Sequence, residues 1–233
     1  MSMHYFIYFL SFFISFFISI YSAIIKTNDD FLEYINKENE LQFQNEIFIQ
    51  NNDNINIESS SISFTGDIQT SILHLTNSLS FLEKCEKIEI KNITIYGDFN
   101  FHNNKNIIFQ NVIYNGVFIA NNEKSNSKSS IQILNSLFHL SEQQNGFEIK
   151  NYNVHIDSTN FYGNNLYNLF LLKLNGKKDN INTIKIENTY FTGNYFNSGI
   201  QSTYTNITLS NTVFENCFNT KILKGYIPLN SID

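Results

Sequence analysis

One pattern constrains the fold of this chain more than anything else in it. Aligned on a leading aliphatic residue, IEIKNITIYGD (from Ile88), IIFQNVIYNGV (Ile107), IQILNSLFHLS (Ile131), VHIDSTNFYGN (Val154), IKIENTYFTGN (Ile184) and ITLSNTVFENC (Ile207) share the order apolar-x-apolar-x-Asn/Ser-x-x-apolar. Successive starts lie 19 to 30 residues apart. That spacing suits a solenoid, in which each short unit buries its apolar face only by stacking on the next. A weaker copy, INIESSSISFT, is aligned from Ile55.

The columns of this alignment carry distinct physical demands. Positions one and three, such as Ile88 and Ile90 or Ile184 and Ile186, alternate with period two, so both point to one side of a strand. Position five is Asn92, Asn111, Asn135, Ser158, Asn188 and Asn211. Asparagine tolerates left-handed backbone angles and bonds to nearby groups at bends, so this column is expected to mark a corner. Stacked Asn amides can also bond to one another between strands. Position eight, Ile95, Tyr114, Phe138, Phe161, Phe191 and Phe214, opens a second inward face beyond the corner. Gly97, Gly116, Gly163 and Gly193 are expected to permit the next change of direction. A leucine-rich repeat places its Asn three residues after the second apolar position, whereas here the interval is two.

The pattern resembles the right-handed parallel β-helix of the pectin-lyase-like family, over about residues 55 to 218. FYGN (161–164) and FTGN (191–194), with SGIQ from Ser198, are also similar to repeats of the polymorphic outer-membrane type. The resemblance implies an all-β, single-stranded parallel β-helix. It also implies action on acidic polysaccharides, by lyases using calcium and a basic residue or by hydrolases using clustered aspartates. This chain has no arginine, and it lacks the Gly-His-Gly and Arg-Ile-Lys segments of those enzymes. No cofactor is therefore expected.

The two ends read differently from the repeat. Residues 5–25, YFIYFLSFFISFFISIYSAII, suit a secretory signal peptide cleaved near Ser22. A retained signal anchor is the alternative, because the run is long enough to span a bilayer. Either places the remainder in the export pathway, secreted or at the cell surface, and only an anchor would bring it to a membrane. Residues 27–41 read as a short helix capped by Thr27 or Asn28, with Phe31, Leu32 and Ile35 on one side, covering the first unit. The expected organisation is a signal segment at 1–22, an N-terminal cap at 23–45 and the β-helix at 46–233. Cys85 and Cys217 fall five steps apart, about 24 Å at ~4.8 Å per step. That exceeds the ~7 Å reach of a disulfide.

Composition removes some functions. The net charge is −6 and all fifteen basic residues are lysines, so no nucleic-acid partner is expected. His74, His102 and His139 share no metal-ligand spacing with one another or with the cysteines, so no metal is expected. The best chemical constellation is Asp157 and Glu187, one outward column on adjacent units, beside His155 and Lys185. Carboxylates ~5 Å apart can perform retaining glycoside hydrolysis; an exposed, partly paired charge patch is the plainer assignment. Two function classes follow. One is a non-catalytic solenoid for adhesion, glycan contact or structure, with extracellular polysaccharide or a cell-surface protein as partner. The other is a divergent polysaccharide-active enzyme built on Asp157 and Glu187. Of two glycosylation acceptors, Asn206-Ile-Thr and Asn92-Ile-Thr, Asn206 is expected to carry the glycan, because Asn92 falls in the corner column and is expected to face inward.

Overall fold

The computed structural model describes residues 22–50, 53–124, 129–140, 146–166, 169–195 and 197–217. Residues 1–21, where the signal segment is expected, and the chain from residue 218 lie outside the described residues. Among the described residues, no helix is long and apolar enough to cross a membrane. The described residues coil into a parallel β-solenoid of about 7 turns with one short helix near the N-terminus.

Each full turn has three sides. The first and second together form one 15-stranded sheet, and the third is a separate 7-stranded sheet. On the first side, Ile88, Ile107, Ile131, Val154, Ile184 and Ile207 are successive register partners. All six are at most 3% exposed, so this column forms a wall of the core. Alternation of side chains across the strands thus converts a sequence period of two into one buried and one outward column.

The corner between the first and second sides falls on the Asn column. Asn92, Asn111, Asn135, Ser158, Asn188 and Asn211 all have φ between 47° and 54°, the left-handed region that Asn enters at least cost among residues with a side chain. The side chains project sideways and outward rather than inward. Asn92, Asn135, Asn188 and Asn211 are exposed and Asn111 is half-buried. Asn111 Nδ2 donates to Asn92 Oδ1 at 2.8 Å, and Asn211 Nδ2 donates to Asn188 Oδ1 at 2.8 Å. The inward orientation expected of Asn92 is therefore corrected: a left-handed residue at an outer corner swings its side chain away from the core.

Beyond the corner, Phe138, Phe161, Phe191 and Phe214 stack in turn, with centroids 5.3, 4.9 and 5.1 Å apart. Tyr114 continues the column 5.4 Å from Phe138, and its hydroxyl donates to the Val117 carbonyl at 3.0 Å. A buried phenol needs such a partner. Of the four glycines, only Gly97 and Gly116 have left-handed φ, 138° and 156°. Gly193 instead meets a close approach, since an added Cβ would lie 2.7 Å from the Asn197 carbonyl oxygen.

Two registers differ from the sequence alignment. Ile55–Ile57 belongs to the third side, paired with Leu79–Phe81. The first-side strand of that turn is Ser61–Thr65, with Ile62 opposite Ile88 and Phe64 opposite Ile90. Its corner holds a longer loop closed by Asp67, whose carbonyl accepts from Thr70 and Ser71, so the spacing signature is broken there. An earlier turn was missed altogether. Glu40–Phe43 and Glu46–Ile49 stack in the same sheet about Asn45, φ 92°.

Strand pairing in fact begins at Ala23–Ile25, alongside Leu41–Phe43. The helix is Asn28–Tyr34, capped by Thr27 in a reciprocal box with Asp30, and it stops earlier than expected because Glu40–Phe43 is a strand. Phe31 packs on Phe43 and Phe64 at 6.2 and 6.3 Å. Phe31 and Ile35 are buried, whereas Leu32 is 41% exposed, so the covering face is narrower than the sequence implied. Asn36 ties the helix end to the stack, donating to the Asn56 carbonyl and accepting from the Glu58 amide at 3.0 and 2.8 Å.

Candidate functional site

Asp157 and Glu187 are register partners on adjacent strands of the first side, as are His155 and Lys185. The four side chains form one charge patch held by two separate sets of hydrogen bonds. Glu187 Oε1 accepts from Lys185 Nζ at 2.7 Å and lies 2.9 Å from His155 Nε2. Asp157 Oδ1 accepts from Asn188 Nδ2 at 2.9 Å and from Ser158 Oγ at 3.1 Å. The Asn corner thus reaches into the charge patch, which the sequence columns alone did not connect.

These contacts set the acidities. The Asn188 amide, helped by Ser158 and the charge of His155, holds Asp157 below its ordinary value of 3.8. Lys185 and then His155 hold Glu187 below 4.5. Hydrogen bonds to the ionised form act in this direction. Glycoside hydrolysis needs one carboxyl group with a raised pKa to protonate the leaving oxygen. Neither residue has the burial that would raise it.

The second side presents a different surface. Phe48, His74 and Tyr96 are outward register partners on three successive strands. Their rings stack almost parallel, 4.2 Å and 5° for the first pair, 4.6 Å and 6° for the second. His74 Nε2 also lies 2.8 Å from Glu46 Oε1. Asn115 takes the next place and His139 the one after, and His139 stacks on Tyr162 at 4.7 Å and 16°. Burial holds His139 below its ordinary value of 6.5, so it is neutral at neutral pH. Beside Tyr96, Leu75, Thr76, Asn77, Ser78, Gly97 and Asp98 line a shallow recess of about 340 Å³.

The sequence columns did not extend to these outward aromatics, although Phe48, His74, Tyr96, His139 and Tyr162 each lie one residue past a buried one. The remaining candidates are apart from both surfaces. His102 is exposed on the third side. Among the described residues no cluster of His, Cys, Asp or Glu could hold a metal ion. Cys85 and Cys217 are free thiols, both pushed up to about 11 by burial. Asn206 and Thr208 are both exposed on the strand Thr205–Ser210, whereas the acceptor's Thr94 is only 6% exposed and donates to the Ile68 carbonyl at 3.2 Å. No protein-family model, curated protein or solved structure matches the chain.

Proposed function

We propose that this protein is a non-catalytic β-solenoid of the pectin-lyase-like type, secreted or held at the cell surface, whose outer sheet faces serve adhesion or glycan contact. One observation supports it above the rest. The best-placed carboxylates, Asp157 and Glu187, are already engaged by Asn188, Ser158, Lys185 and His155 and held ionised on an outward strand face. Such a patch organises the surface without supplying a general acid. Hydrolysis by Asp157 and Glu187 is the competing function.

The experiment is incubation of the secreted protein with a polysaccharide panel, with reducing ends measured. No release is expected. Release that disappears in Asp157→Asn would overturn the assignment in favour of the enzyme. Glycopeptide mass spectrometry of the same preparation is expected to find a glycan at Asn206 more often than at Asn92, since both Asn206 and its Thr208 are accessible. Dominant occupancy of Asn92 would contradict that expectation.

A further inference from the structure

We propose that the second side binds an uncharged polysaccharide that crosses the stack, one sugar ring of it gripped over Asn115 between the rings of Tyr96 and His139. The inference rests on the glycan-contact reading above and commits it to one face and one ligand class.

Charge selects the class. From the strand Glu46–Ile49 to the strand Val213–Glu215, the outward positions of the second side carry no lysine, and their acids, Glu46 and Glu215, stand at the two ends. An anionic polymer finds no cation there. Lysines instead project from the first side (Lys87, Lys91, Lys185) and the third (Lys150, Lys173). Between the terminal acids, the outward residues are aliphatic, aromatic, histidine or uncharged polar, among them Ile113, Leu137 and Tyr190.

Size argues against a globular partner or a second copy on this face alone. The strip spans eight strand levels, about 34 Å long at ~4.8 Å per step and about 10 Å wide for three residues of strand. That is roughly 340 Å², well short of the ~800 Å² each partner contributes to a standard interface. A narrow, uncharged strip fits a chain of sugar rings that crosses it.

Ring geometry locates the grip. Within a stack, each aromatic covers its neighbour's face and shows the exterior only its edge, so most of the ladder offers no ring face to a ligand. The ladder is broken at Asn115. Tyr96 and His139 therefore stand two levels apart, about 9.6 Å, with one face of each turned toward the gap. Each is braced from behind, Tyr96 by His74 and His139 by Tyr162, so little freedom is lost on binding. A sugar ring entering the gap sets its C–H faces against the two aromatic faces and its hydroxyls over the Asn115 amide. The recess beyond Tyr96, with Thr76, Asn77, Ser78 and Asp98 in its lining, adjoins the gap on one side. Few polar groups beside aromatic walls are the usual makeup of a small-ligand site.

The test is a sedimentation assay of the secreted protein on insoluble cellulose and chitin, both uncharged, and on insoluble polygalacturonate. Retention is expected on at least one uncharged polymer and changes little with added salt, because no exposed ion pair is made. Tyr96→Ala and His139→Ala are each expected to weaken it about tenfold or more, as loss of an aromatic anchor does. Tyr96→Phe and Lys185→Ala keep it. Circular dichroism of every variant separates lost binding from lost fold. Retention only on polygalacturonate, removed by salt, would overturn this inference while leaving the glycan-contact function standing. So would retention on cellulose or chitin that a folded Tyr96→Ala does not change. Absence of retention on all three polymers, with no reducing-end release, would overturn the inference as well.

Discussion

Phe138 and His139 are neighbours in the chain and face opposite sides of one sheet. The inner column through Phe138 is an unbroken run of rings from Tyr114 to Phe214, buried over most of its length. The outer column through His139 has the same strand spacing and the same register, yet it is interrupted at Asn115 and ends in Thr192 and Glu215. Parallel in-register stacking imposes columns on both sides equally, so the geometry alone does not explain the contrast. Folding demands volume from the inner column, because every ring there fills core space. It demands nothing comparable from the outer one. Aromatic residues at Phe48, Tyr96 and Tyr162, each standing one residue past a core position, are thus the part of the sheet free to be shaped by function.

The largest expected effect breaks the inner column. Phe191 is fully buried between Phe161 and Phe214, and Phe191→Ala is expected to cost about 3–5 kcal/mol in chemical denaturation. Thr192→Ala, on the outer side of the same strand, is expected to change stability by less than ~0.5 kcal/mol. Equal losses would erase the distinction between the two sides.

The corner that holds the two sides at their angle is next. Asn188, at φ 49°, donates to Asp157 and accepts from Asn211. Asn188→Ala is expected to lose about 1–2 kcal/mol, chiefly from forcing a Cβ without local hydrogen bonds into the left-handed region. Asn188→Gly should recover most of that loss, and failure to recover it would assign the cost to the amide contacts instead.

Acid reaches the first side through two of its carboxylates. Asp157 and Glu187 are held below their ordinary 3.8 and 4.5 by hydrogen bonds, so the folded state binds their protons less readily than the unfolded chain. Their stabilising contribution is complete above those ordinary values and is lost as pH falls through the lowered ones. Both groups are half-buried on an outward strand face and within reach of solvent, so the effect is small. Carboxyl chemical shifts followed by NMR in wild type and Asn188→Ala check the cause: the Asp157 midpoint should rise in the variant, and an unchanged midpoint would refute the assigned hydrogen bond.

How far the sequence discloses this molecule depends on how regular each turn is. The columns starting at Ile88 and Ile95 are legible because every step on the first two sides repeats the interval across a one-residue Asn corner. The turn at Ile62 is not, since the loop containing Asp67 replaces that corner and shifts the spacing. The third side escapes for a related reason. Its strands, among them Phe99–His102 and Leu169–Asn175, follow connections of differing length and lack a shared marker residue. At the candidate site, the pairing of Asp157 with Glu187 follows from the register alone. The engagement of Asp157 by Asn188 and Ser158 depends on which way a left-handed corner swings its side chains, and no column of residue types encodes that.

The most direct measurement sets Phe138→Ala beside His139→Ala, two adjacent residues on opposite sides of one strand, with denaturation and cellulose or chitin retention measured for both. Phe138→Ala is expected to lose about 3–5 kcal/mol while its folded fraction keeps the wild-type retention. His139→Ala is expected to stay within ~1 kcal/mol of wild type and lose the retention. A His139→Ala variant as unstable as Phe138→Ala, or one that is stable and still retained, would contradict the division of this sheet into a structural inside and a binding outside.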